Sequence, residues 1–219
     1  MTSYLFILLL LSSVPFQDPD NRSVELLTTG PTHGSDLSGK TEGRWFGLFE
    51  TPTGFEIRST NVSFRDVEVD GEHSHSVVST DRREEALFLV REIPQLKEGP
   101  VKTSYHGRQF VQPGQEFYFT LFGKRPYALV ASGQKDGEGI RDYQVTIFHD
   151  QKKHLLFSLK AIHLEVIYPT ILWIGDIDRD SKPDMYVELH SLRHALFLSS
   201  FAKEGEFLRE VAIFQRMGC

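Results

Sequence analysis

From Arg44 onward the apolar residues either alternate with polar ones or gather in short runs, and Gly, Pro, Asn or Asp interrupts them at close intervals. A helix needs an apolar stripe recurring every three to four residues over ten or more positions, and almost no stretch offers one. A strand needs only a face of period two, so this spacing predicts an all-β fold. The candidate strands are Arg44 to Glu50, Gly54 to Ser59, Val62 to Val69, Ser76 to Thr80, Ala86 to Arg91, Glu116 to Phe122, Tyr127 to Ser132, Tyr143 to Phe148, His154 to Leu159, Leu164 to Ile174, Met185 to Leu189, Leu196 to Phe201 and Glu210 to Gln215. They imply a single antiparallel β-sandwich or barrel-like domain over residues 44–219, since about 175 residues can enclose one sizeable core. Helical turns around Ser191 to Ala195 or Asp81 to Glu85 would not alter the class. No internal repeat is present, which excludes a propeller.

Several segments reveal their faces. Ala86 to Val90 and Ile171 to Ile174 are apolar at successive positions and suit strands covered on both sides. In Val62 to Val69 the alternation slips at Arg65-Asp66, where a bulge would restore the inward face. Turn signals stand at Asp70-Gly71, Pro113-Gly114 and Lys135 to Gly139. In Glu116 to Phe122, Phe117, Phe119 and Leu121 share one face, leaving Tyr118 and Phe122 to touch a partner or lie under another sheet.

The first residues differ in character. Tyr4 to Leu11 is an apolar run followed by Ser12-Ser13-Val14-Pro15-Phe16-Gln17 and Asp18, the shape of a secretory signal over residues 1–17 cut between Ser13 and Asp18. No Lys or Arg precedes the run, and it is far short of the roughly 20 residues that span a bilayer, so no permanent membrane span is expected. Residues 18–43, rich in Gly, Pro, Ser, Thr and Asp, read as a flexible linker or N-terminal arm. The expected location is periplasmic or secreted. One cysteine, Cys219, permits no intrachain disulfide; it could pair between molecules, stay an unpaired thiol or be buried. The net charge of -6 offers no basic face for phosphates, so nucleic acid is not an expected partner.

One segment carries chemistry. Trp173-Ile174-Gly175-Asp176-Ile177-Asp178-Arg179-Asp180-Ser181-Lys182-Pro183-Asp184 sets aspartates at positions 1, 3, 5 and 9 of a loop between two apolar strands. Carboxylates so crowded repel one another in an empty loop, whereas a hard divalent ion converts the repulsion into binding. Side chains 1, 3 and 5 of a loop coiling round an ion converge, residue 7 offers its backbone carbonyl, here that of Lys182, and Asp184 closes the shell. The helix-loop-helix calcium hand is excluded, because position 12 is Val187 where that hand needs a bidentate Glu. The segment resembles instead the D-x-D-x-D-G-x-x-D-L loop of FG-GAP and VCBS-type repeats, also found in integrin α-subunit propellers. Carried over residue by residue, the resemblance implies one structural calcium ion on Asp176, Asp178, Asp180, the Lys182 carbonyl and Asp184. Glu188 is an outside candidate with no counterpart in the motif. Ser181 stands where the family usually has Gly, at a position that commonly needs a left-handed backbone, so a weakened affinity is expected. The tail from Leu196 to Cys219 also resembles uncharacterised exported bacterial proteins with a single such loop, which implies a non-propeller β domain.

Other signals are weaker. His73 and His75 share a strand face, and His190 and His194 would share a helix face, but neither pair has an obvious third ligand. No G-x-S-x-G elbow, P-loop, dinucleotide fingerprint or H-E-x-x-H occurs, and carboxylate pairs such as Glu84-Glu85 read as solvated charge. Asn21-Arg22-Ser23 and Asn61-Val62-Ser63 are glycosylation sequons. The sequence thus points to an exported, calcium-stabilised, non-catalytic β module of the cell envelope with a protein or glycan ligand; the alternative is a secreted hydrolase with a structural calcium site.

Overall fold

The computed structural model describes residues 24–69, 73–123, 125–137, 139–163, 168–190 and 193–216. The expected signal, Asn21, the Asp70-Gly71 turn and Cys219 lie outside them, as do the side chains of His73, His75 and His190. The chain runs through β1 (Glu25–Leu27), β2 (Gly30–His33), a 3-10 turn (Gly34–Leu37), β3 (Gly43–Thr51), β4 (Gly54–Val69), β5 (His73–Thr80), β6 (Ala86–Arg91) and β7 (Gly99–Phe110). It continues through β8 (Glu116–Phe119), β9 (Tyr127–Asp136), β10 (Gly139–His149), β11 (Lys152–His163), β12 (Thr170–Asp176), β13 (Asp184–His190), β14 (Arg193–Leu198) and β15 (Arg209–Gln215). The all-β expectation holds, and among the described residues no α-helix appears, including at 81–85 and 193–195.

Two antiparallel sheets form. The larger has the order β1-β6-β3-β4-β7-β12-β13-β14-β15, with β5 on the outer half of β4 and β2 on β5. Its ends meet: β1 lies against β15, and Arg216 donates to Thr28 Oγ1 and the Thr29 carbonyl, so the sheet curls into a nearly closed barrel. The smaller sheet has the order β11-β10-β9-β8.

Strands β12 to β14 separate two cores. In β12, Leu172 and Trp173 enter the barrel core with Leu48, Ile57 and Phe88, while Ile171 and Ile174 face the second core with Tyr143, Val145 and Ile147 of the smaller sheet. A register shift between Ile171 and Trp173 places two successive side chains on the barrel side. Every residue of β12 is buried, as its unbroken apolar run predicts.

Three expectations need correction. Residues 24–43 do not behave as a loose arm: Leu26 and Leu27 are fully buried, and β1 pairs with β6. Four apolar residues, Val24 and Leu26-Leu27 with Leu37, suffice to anchor an otherwise polar segment once a sheet edge is available to satisfy its backbone. Strands Gly54–Ser59 and Val62–Val69 are one strand, and β4 pairs with β5 in unbroken register, so the bulge at Arg65-Asp66 is absent. Arg65 and Asp66 are exposed and Phe64 only half-buried, so no continuous inward face has to be restored there. Finally, β7 is a further strand, at a stretch for which the sequence predicts none.

Candidate metal centre

The Asp loop is set by its flanks. β12 delivers Asp176 at its last residue, β13 begins at Asp184, and Gly175 pairs with Asp184 across the ladder. Gly175 is needed for close approach: a Cβ there would stand 2.3 Å from the Trp173 ring and 2.4 Å from the Lys102 carbonyl. Between the strands, fully buried Ile177 pins the loop into the barrel core, and Arg179 and Ser181 take left-handed backbones at φ 65° and 66°. The left-handed residue expected at Ser181 is therefore present, without the Gly that adopts it freely.

The loop brings Asp176, Asp178 and Asp184 together, one carboxylate oxygen from each lying within 4.8 Å of the others. All three are buried, at 3%, 9% and 0% exposure. Asp184 is the most constrained: Oδ2 accepts from Ile177 N at 2.8 Å, and Oδ1 accepts from Ser199 N at 2.9 Å and lies 3.2 Å from Ser199 Oγ. Asp178 accepts from Asp180 N at 3.3 Å and from the Ser200 hydroxyl. Asp176 Oδ2 accepts from Ser181 N at 3.1 Å, but its Oδ1 is buried with no hydrogen-bond partner.

Asp180 is not drawn into this trio. Its Oδ1 accepts from Lys182 N at 2.8 Å, its Oδ2 accepts from Ser199 Oγ at 2.9 Å, and the exposed Lys182 Nζ lies 3.8 Å from Oδ2. Glu188 belongs elsewhere, in an ion pair with Arg108 at 2.5 Å and four residues along β13 from Asp184. The loop's own cations do not neutralise the trio: Arg179 points to the Lys97 and Glu98 carbonyls, and among the described residues none of the three aspartates forms a salt bridge.

The electrostatics follow. Burial, reinforced by the charge of Asp178, pushes the Asp184 carboxyl well above the ordinary carboxylate range. Burial also raises Asp176, with the Ser181 N–H opposing and the charges of Asp180 and Asp178 adding to it. No protein family, curated protein or solved structure matches this chain. An all-oxygen donor set, concentrated negative charge and one orphaned, buried carboxylate oxygen fit a hard divalent cation. Ser199 and Ser200 were missed in the sequence, since no spacing rule joins a loop to hydroxyls beyond the next hairpin.

An open recess of about 310 Å³ lies elsewhere, lined by Glu50, Phe55, Glu85, Ala86, Leu87 and His106. Glu50 and Glu85 are exposed, and the His106 ring meets the Phe55 ring edge-on at 4.6 Å. No Ser, Cys or Thr nucleophile lines it. Tyr118 and Phe122 are exposed, and Asn61 of the second sequon is exposed with its amide donating to Asp81 at 2.9 Å. Among the described residues no helix is long and apolar enough to cross a membrane.

Proposed function

We propose that this chain is an exported β domain stapled by one calcium ion and serving as a non-catalytic binding or structural module of the cell envelope. The observation that carries the calcium reading is the buried trio Asp176, Asp178 and Asp184, with Asp176 Oδ1 lacking any partner. A divalent cation would take that oxygen, cancel the mutual repulsion and hold together the ends of β12, β13 and β14. Resemblance to FG-GAP and VCBS-type loops adds Asp180 and the Lys182 carbonyl to the ligand set, Asp180 after a turn of its carboxylate away from Ser199. Calcium is preferred to magnesium because a flexible cage built from protein oxygens suits the larger ion. The apolar run from Tyr4 to Leu11 supports export, into surroundings where calcium is plentiful. A protein or glycan is the expected ligand of the module. The hydrolase alternative draws on the Glu50–Glu85 recess alone.

With a dissociation constant of about 0.1 to 1 mM, as in extracellular modules, about 1 mM calcium stabilises the fold by roughly 0.4 to 1.4 kcal/mol. For a chain of this size that raises the melting temperature by roughly 1 to 5 °C. Thermal melts with chelator and with calcium test this, and Asp178→Ala abolishes the difference. A wild-type melting temperature that millimolar calcium leaves unmoved overturns the reading.

A further inference from the structure

The metal loop is tied to a distant part of the chain at two points. Ser200, just beyond β14, donates its hydroxyl to Asp178 Oδ2 and accepts from Gln95 Nε2 at 2.9 Å. Gln95 lies in the connection between β6 and β7, residues 92–98. From the loop side, Arg179 Nη2 donates to the carbonyls of Lys97 at 3.2 Å and Glu98 at 2.9 Å in the same connection. Gly99 leaves space for this: a Cβ on it would stand 3.2 Å from Arg179 Nη2, and its φ of 115° is one that side-chain-bearing residues rarely adopt. Otherwise the connection is held by two buried side chains, Ile93 and Leu96, by the Leu96 N–H to Ile93 carbonyl bond, and at its end by Glu98, whose exposed carboxylate meets Arg44 at 3.5 Å and accepts hydrogen bonds from Ser59.

We propose that cation binding controls the β6–β7 connection, with Gln95, Ser200 and Arg179 as positioning residues that join it to the metal centre. The inference rests on the calcium reading above. A ligated Asp178 has its carboxylate plane fixed, which fixes the Ser200 hydroxyl and aims its lone pair at the Gln95 amide. Without the ion, Asp176, Asp178 and Asp184 repel one another, and the left-handed Arg179 and Ser181 have less to hold them in place. Loosening the loop then releases both ties together. Coupling of this kind is reciprocal, so whatever order the ion imposes on residues 92–98, those residues return as affinity for the ion.

The test combines calcium calorimetry on chelator-treated protein with amide hydrogen exchange over residues 92–98, with and without millimolar calcium chloride. In the wild type, calcium slows exchange in that segment. Ser200→Ala weakens calcium binding about tenfold and removes the protection; Ser200→Thr, which keeps the hydroxyl, restores both. Gln95→Ala, at a half-buried position outside both cores, weakens binding about fivefold. Arg179→Ala lowers the protection of residues 97 and 98 without touching an aspartate. Calcium binding that leaves exchange in 92–98 unchanged, or that is equally tight in Gln95→Ala and Ser200→Ala, overturns the coupling and leaves the calcium reading standing. Absence of calcium binding overturns both.

Discussion

His194 illustrates how much a side chain's surroundings decide. Its Nδ1 lies 3.0 Å from the Tyr186 hydroxyl, and the two rings stack at 15°. Burial foremost, opposed by the charge of Glu188 and aided by those of Arg216 and Arg108, brings its pKa down to about 4. In the unfolded chain the ring titrates near 6.5, so between 6.5 and 4 the unfolded state binds the extra proton. The neutral ring's contribution is therefore fully present above about pH 6.5 and is lost as pH falls toward 4, amounting to at most about 3 kcal/mol. Urea midpoints of the wild type should fall over that interval more steeply than those of His194→Gln. Identical slopes would remove His194 as the cause. At this scale the sequence was legible in part. Asp176, Asp178 and Asp184 cluster, although the spacing alone grouped Asp180 with the first two, and Ser181 is left-handed as expected. The diversion of Asp180 to Ser199, and the pairing of His194 with Tyr186 across a β-hairpin instead of with His190 on a helix, depend on neighbours that only the tertiary fold supplies.

At the level of elements, strands with a clear apolar face were readable, and those with few apolar residues were not. Ala86 to Arg91 appears with the expected bounds, because its apolar run leaves no other use for it. β7 is not legible in the sequence because it is mostly polar, has a single buried residue, Val101, and contains Pro100, which argues against a central strand. The structure accommodates that proline: Gly99 to Val101 pair only with β4, and pairing with β12 begins at Lys102. β1 and β2 were hidden for the opposite reason, as a few apolar residues in a composition typical of linkers. Their integration has a measurable consequence. Leu26 is fully buried opposite Val90, so Leu26→Ala should cost about 2 to 4 kcal/mol. Urea denaturation checks this, and a loss below about 0.5 kcal/mol, ordinary for a surface position, would return residues 24–43 to the status of a loose arm.

For the whole molecule, the decisive feature is that β12, β13 and β14 bury side chains in both cores. Trp173, Tyr186 and Leu196 go to the barrel, and Ile174, Met185, Val187 and Phe197 go to the smaller sheet. Neither core can lose its order without exposing the reverse of the same three strands, so the two should unfold together. The tryptophans give a clean way to see this, since both Trp45 and Trp173 lie in the barrel core. Ile147, at 1% exposure in β10, lies in the other. Ile147→Ala should therefore cost about 2 to 4 kcal/mol and move the urea transition seen by tryptophan fluorescence, although no tryptophan shares its core. The fluorescence and far-ultraviolet circular dichroism curves should shift by the same amount. A fluorescence midpoint that stays at the wild-type value while circular dichroism splits into two steps would mean that the barrel and the smaller sheet are separate folding units, joined at a face that neither needs.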